Sequence, residues 1–104
     1  MARYNENKIS YKKQAELLNS FCRMLSRLKN QDAIYNFIKD LLNRQERMML
    51  IRRLLIAEML SRGCSYLKIR REMGCGSATI ARIQRWLKFG RGGYLRAIKV
   101  NKGK

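Results

Sequence analysis

The stretch GCGSATIARIQRWLKFG, residues 74–90, decides how this chain is read. A glycine-rich break opens it, and Ser77 or Gly76 stands where a helix start is capped. Ile80, Ile83 and Leu87 then recur at the spacing that puts apolar side chains on one helical face. The opposite face carries Ser77, Ala78, Ala81, Arg82 and Arg85. Small residues let a helix backbone approach base edges, hydroxyls bond to bases or phosphates, and a guanidinium grips a guanine or a phosphate with two donors. The pattern predicts the turn and second helix of a helix-turn-helix, suited to a DNA major groove.

Working backwards, Ser65 is placed to cap a short helix from Tyr66 to Met73, with Ile69 and Met73 inward and Lys68, Arg70 and Arg71 outward. Gly74 stops it, so the two-helix unit covers about residues 65–88. Further upstream, Asn43 and Glu46 have the spacing of a capping box, in which each side chain bonds the other's backbone N–H. That box predicts a third helix, ending near Arg62 with Gly63 as its stop. Met48, Met49, Leu50, Ile51, Leu54, Leu55, Ile56, Met59 and Leu60 cover most of its circumference, and a helix apolar most of the way round is normally buried. In so short a chain the cover comes either from the first two helices or from a second copy, which would give an interlocked dimer.

Two amphipathic helices are expected before it. Ala15, Leu18, Cys22, Leu25 and Leu28 share one face over residues 12–29. Asn30 then caps a helix whose stripe is Ile34, Phe37, Ile38, Leu41 and Leu42, with Asp32 near its positive end. After residue 90, Gly92 and Gly93 continue a joint, and Tyr94, Leu95 and Ile98 predict a short closing helix. The expected organisation is a basic, frayed arm over residues 1–11, one all-α domain over 12–100, and a polar tail over 101–104.

Composition narrows the partner. The chain has 104 residues, no proline and a formal net charge of +17. Eight Lys/Arg and four Asp/Glu fall in residues 1–40, against sixteen and three in residues 41–104, so the positive field accompanies the two-helix unit. Such an excess reports affinity for a polyanion, here double-stranded DNA, and by itself says nothing of sequence preference. Three cysteines without a C-x-x-C pair, and no histidine, give no zinc framework. With no membrane-length apolar run and no secretory core in the first residues, the expected setting is the cytoplasm, without cofactor or membrane partner. Catalysis is not expected either: there is no phosphate loop ending in Lys-Ser/Thr, and the seven carboxylates are scattered.

From Leu42 to Leu87 these residues resemble the Trp repressor family, and within it the Trp-repressor-like YerC/YecD group. The resemblance rests on Gln45-Glu46-Arg47, Glu58-Met59-Leu60, Ser65-Tyr66, Ile69 and above all G-C-G-S-A-T-I-A-R. It implies an intertwined all-helical homodimer presenting two helix-turn-helix units to successive major grooves. By position, Ser77, Ala78, Thr79 and Ala81 then touch bases and Arg70 touches phosphate, while Tyr66 and Leu67 replace polar residues. Arg52 and Arg82 match the two arginines that sandwich the corepressor indole in the Trp repressor. Ile83 stands where that repressor has the glycine that leaves the ligand room. The implication is a remnant pocket of Arg52, Arg82 and Ile83 that free tryptophan does not regulate, with any other effector unknown.

The expected function is therefore a sequence-specific transcriptional regulator, a repressor in its simplest form. Ser77, Ala78, Thr79, Ala81 and Arg82 would read bases or groove shape, and Lys68, Arg70, Arg71, Arg85 and Lys88 would hold phosphates. Two alternatives stay open at this point. One is a non-specific architectural DNA- or RNA-binding protein, for which the charge suffices. The other is a module that docks a protein partner through Tyr66, Trp86 and Phe89.

Overall fold

In the computed structural model, residues 9–102 are described, without the side chains of residues 99–102. Most of the expected arm and the last two residues of the expected tail lie outside the described residues. Six helices follow one another: α1 (Tyr11–Leu25), α2 (Gln31–Leu41), α3 (Arg44–Ser61), α4 (Tyr66–Met73), α5 (Ser77–Phe89) and α6 (Gly93–Lys102). Among the described residues there is no strand. The fold is all-α, and the chain divides between Leu41 and Leu42 into two compact units.

The first unit is α1 and α2. Ser10 opens α1 by accepting the Lys13 amide at 3.1 Å, one step earlier than the periodicity alone places the start. The helix also stops four residues before the predicted Lys29. Ser26 Oγ donates to the Arg23 carbonyl at 2.7 Å, and the Arg27 and Leu28 amides turn back to Met24 and Leu25. A serine that bonds nearby backbone offers the chain an alternative to another helical turn. Asn30 caps α2 as expected, its Oδ1 accepting the Ala33 amide at 2.8 Å. Phe21 of α1 and Phe37 of α2 meet with ring centroids 6.5 Å apart. Neither helix contains a fully buried residue.

The second unit holds the core. Both bonds of the capping box form at the start of α3, Asn43 Oδ1 accepting from the Glu46 amide at 2.8 Å and Glu46 Oε1 from the Asn43 amide at 2.9 Å. At its end Gly63 donates to the Leu60 carbonyl and Cys64 to the Met59 carbonyl, both at 3.0 Å. This pair of bonds satisfies two of the carbonyls that a helix end leaves orphaned. Helix α3 packs on α4, α5 and α6, and α5 packs on α4 and α6. Between them lie the buried side chains Ile56, Ala57, Ile69, Ile80, Ile83 and Ile98, with Met59, Leu60, Met73, Leu87 and Tyr94 against them.

The central helix is less enclosed than its composition predicts. Only Ile56 and Ala57 of α3 are buried, while Met48, Met49, Leu50, Ile51, Leu54 and Leu55 keep a third to a half of their surface open. The joint after α5 is also tighter than a run of glycines suggests. At Gly90 an added Cβ would lie 2.5 Å from the Trp86 carbonyl oxygen, so no side chain fits there without a shift of backbone.

Candidate nucleic-acid interface

The helix-turn-helix is built by local chemistry that the sequence spells out. Ser65 accepts the Lys68 amide at 3.1 Å and starts α4. Gly74, at φ +64°, ends it in the left-handed region, with its own amide bonded to the Arg70 carbonyl at 2.9 Å. A residue with a Cβ is strained in that conformation, which is why glycine stands at the turn. Helix α5 then starts from Gly76, whose carbonyl accepts the Ile80 amide and which has no side chain to add a cap bond. The first-turn amides of α5 are left to other acceptors, a disposition that favours anions at a helix N-terminus.

Ile69 and Ile80 are fully buried and Ile83 nearly so, which fixes the inner faces of α4 and α5 against α3. Their outer faces follow from the helical period. Ser77, Ala78, Ala81 and Arg82 are exposed and Thr79 is half-buried. Lys68, Arg70, Arg71, Arg85 and Lys88 are exposed as well. Lys68 has a carboxylate nearby, Glu72 at 3.9 Å on the next turn. Among the described residues no carboxylate lies within ion-pair distance of Arg70, Arg71, Arg82, Arg85 or Lys88. Over residues 65–89 there are six Lys/Arg and a single Glu, so this two-helix unit carries cations that its own carboxylates do not neutralise. All ten expected DNA-contacting residues thus belong to one two-helix unit, with its outer face free.

A 310 Å³ cleft lies behind the turn, lined by Met49, Arg52, Arg53, Ile56, Cys75, Thr79 and Arg82. It brings together Arg52 and Arg82, which the resemblance paired. Ile83 does not line it and sits instead in the core beside Ile56 and Ile80. The helical period of α5 already assigns Ile83 to the inner face, three residues after Ile80. Arg52 has a role that no spacing announces: its Nη2 donates to the Met73 carbonyl at 2.6 Å and to the Gly74 carbonyl at 2.9 Å.

Aromatic residues are exposed on the same two helices, Trp86 and Phe89 each four residues after an arginine of α5 and Tyr66 four before Arg70. Trp86 is 56% and Phe89 80% exposed, and Tyr66 is exposed too. Trp86 lines a second cleft of 340 Å³ with Leu54, Tyr94, Arg91 and the glycines at 90 and 93. Among the described residues no helix is long and apolar enough to cross a membrane.

The family model for the Trp repressor protein matches residues 16–102, most of the chain and the whole of the helix-turn-helix. The chain belongs to the Trp repressor family. This is a family of DNA-binding regulators rather than of enzymes. The uncharacterized protein YerC of Bacillus subtilis (strain 168) is 38% identical over 92 residues, which cover 88% of this chain and 85% of YerC. The fold matches a TrpR-like protein from Eubacterium eligens with a TM-score of 0.75 at 29% identity, over 89% of this chain and 96% of that one. It also matches a candidate Trp repressor from Staphylococcus aureus, with a TM-score of 0.68 at 28% identity over 96% of each chain. The matched residues include all of α4 and α5.

Proposed function

We propose that this chain is a dimeric, sequence-specific DNA-binding regulator of transcription, acting as a repressor by occupying its operator. The observation that carries this reading is the free, unneutralised outer face of α4 and α5 on a two-helix unit locked by buried Ile69 and Ile80. Arg70, Arg71, Arg85, Lys88 and Lys68 hold phosphates and supply salt-sensitive affinity. Ser77, Ala78, Thr79, Ala81 and Arg82 enter the major groove and read base edges or groove shape. The small side chains of Ala78 and Ala81 let the start of α5 come close to the bases.

Dimerisation is supported by apolar surface that the chain leaves open. Met48, Met49, Leu50, Ile51, Leu54 and Leu55 of α3, and Leu17, Leu18 and Tyr35 of α1 and α2, are exposed hydrophobics of the kind a second copy covers. Two units related by a two-fold axis would meet DNA about one turn apart, near 34 Å, on an inverted repeat.

In this reading free tryptophan is not the effector. The support is Arg52, whose Nη2 is already engaged by two backbone carbonyls. Calorimetric titration with L-tryptophan is expected to give no heat of binding, and micromolar binding would overturn this point.

The regulator reading is tested by selecting bound duplexes from a randomised library with purified protein near physiological salt, where non-specific binding is weak. An enriched inverted repeat with half-sites one turn apart is the expected result. Strong retention with no enriched motif would replace it with the non-specific architectural or RNA-binding alternative.

A further inference from the structure

We propose that Arg52 is a positioning residue for DNA recognition, a latch from α3 onto the α4–α5 turn that sets the angle of the reading helix. The inference deepens the proposed DNA-binding function and rests on it. It starts from two hydrogen bonds made by one nitrogen, from Arg52 Nη2 to the Met73 and Gly74 carbonyls, across 21 and 22 residues of chain.

Those two carbonyls are among the ones that the end of a helix leaves in need of a donor. A helix leaves its last four carbonyls without partners in the helix, and its C-terminus carries partial negative charge. Helix α4 has eight residues, too few to hold itself together in water, so its last turn depends on what is packed around it. A guanidinium at that end supplies both the hydrogens and the complementary charge. Gly74 then turns the chain at φ +64° directly over Arg52, and a Cβ at Gly74 would come within 3.8 Å of the same Nη2. The turn and the guanidinium are in van der Waals reach as well as bonded.

The other end of the latch is fixed. Arg52 lies one helical turn before Ile56, which is buried with Ile69 and Ile80 in the core. Within its cleft Arg52 has two arginines beside it, Arg53 and Arg82, and no carboxylate in the lining, so backbone carbonyls are the acceptors the cleft offers. Thr79, in the first turn of α5, lines the same cleft. The position of the turn relative to α3 therefore determines where Ser77, Ala78 and Ala81 stand, while Thr79 and Arg82, also assigned to base reading, share the cleft with Arg52. A site held by its own supporting contacts is pre-organised, and loosening it costs selectivity before it costs general affinity.

The test uses the full-length protein and its Arg52→Gln and Arg52→Lys variants, with two readouts. The first needs no DNA: the exchange rate of the Gly74 amide, which is bonded to the Arg70 carbonyl and reports the last turn of α4. In Arg52→Gln this amide is expected to exchange about tenfold faster while the amides of α3 keep their protection. In Arg52→Lys, whose ammonium can still reach a carbonyl, the change is smaller. The second readout is affinity for the duplex that the wild-type protein selects from a randomised library, set against a scrambled duplex of equal length. The ratio of the two affinities is expected to fall about tenfold in Arg52→Gln and partly recover in Arg52→Lys, with the salt dependence unchanged because no phosphate contact is lost.

Unchanged Gly74 exchange overturns the latch. Faster exchange with an unchanged affinity ratio overturns its positioning role, and so does a reduced salt slope, which would make Arg52 a phosphate contact. Uniformly faster exchange across α3 in both variants would show a global stability role and equally overturn it. A wild-type protein that selects no duplex removes the DNA reading beneath the proposal, and that failure is seen before any variant is made.

Discussion

The two units use the same kind of helix and reach different ends. Helices α1 and α2 carry apolar stripes as regular as those of α4 and α5, yet among the described residues the first unit has no buried side chain and the second has six. The difference is one of geometry rather than of composition. Two helices meet along a single line of contact, here marked by Phe21 and Phe37, and each keeps half of its stripe in the open. Three helices around α3 enclose a volume, so Ile56, Ile69, Ile80 and Ile83 lose their water and lock the reading surface. The lesson is that a stripe at the right period predicts a helix face, while burial depends on how many faces converge on it.

This contrast can be broken by removing one side chain from each unit. Ile69→Ala should have the largest effect, because it leaves a cavity in a fully closed core. A loss of about 2–5 kcal/mol is expected by urea denaturation, followed by the fluorescence of the single tryptophan, Trp86. A loss below about 1 kcal/mol would mean that the site collapses freely and that the second unit is no better packed than the first. Phe21→Ala should cost less, roughly 1 kcal/mol, since its ring is already partly in water. Its effect should also depend on protein concentration, because the open surface of the first unit serves association in the proposed dimer. A concentration-independent loss as large as that of Ile69→Ala would erase the distinction between the units.

Much of the second unit could be read from sequence because its decisive chemistry is local. The capping box of Asn43 and Glu46, the Ser65 cap and the stop at Gly74 each involve residues three or four apart, and each forms as the spacing predicts. Local spacing also separates the inner from the outer face of α5. What remained hidden has partners remote in sequence or a choice between competing local bonds. The end of α1 is decided by Ser26 turning to the Arg23 carbonyl, where periodicity alone would continue to Lys29. The grip of Arg52 joins residues more than 20 apart, and a pattern of arginines cannot distinguish it from a ligand clamp. At Ile83 two signals competed. The helical period pointed to the core and the family resemblance to a pocket, and the side chain sits in the core.

The central claim is that the opening of α5 reads bases while the cations around it hold the backbone. It is tested most directly by selecting duplexes from one randomised library with the wild-type protein and with Ala81→Gln in parallel. Residue 81 is small and exposed, so the substitution leaves the core intact and places an amide where a base edge should lie. Base reading by α5 predicts that both proteins return inverted repeats of the same spacing that differ in base preference within each half-site. The same motif from both proteins, or no motif from either, would contradict it.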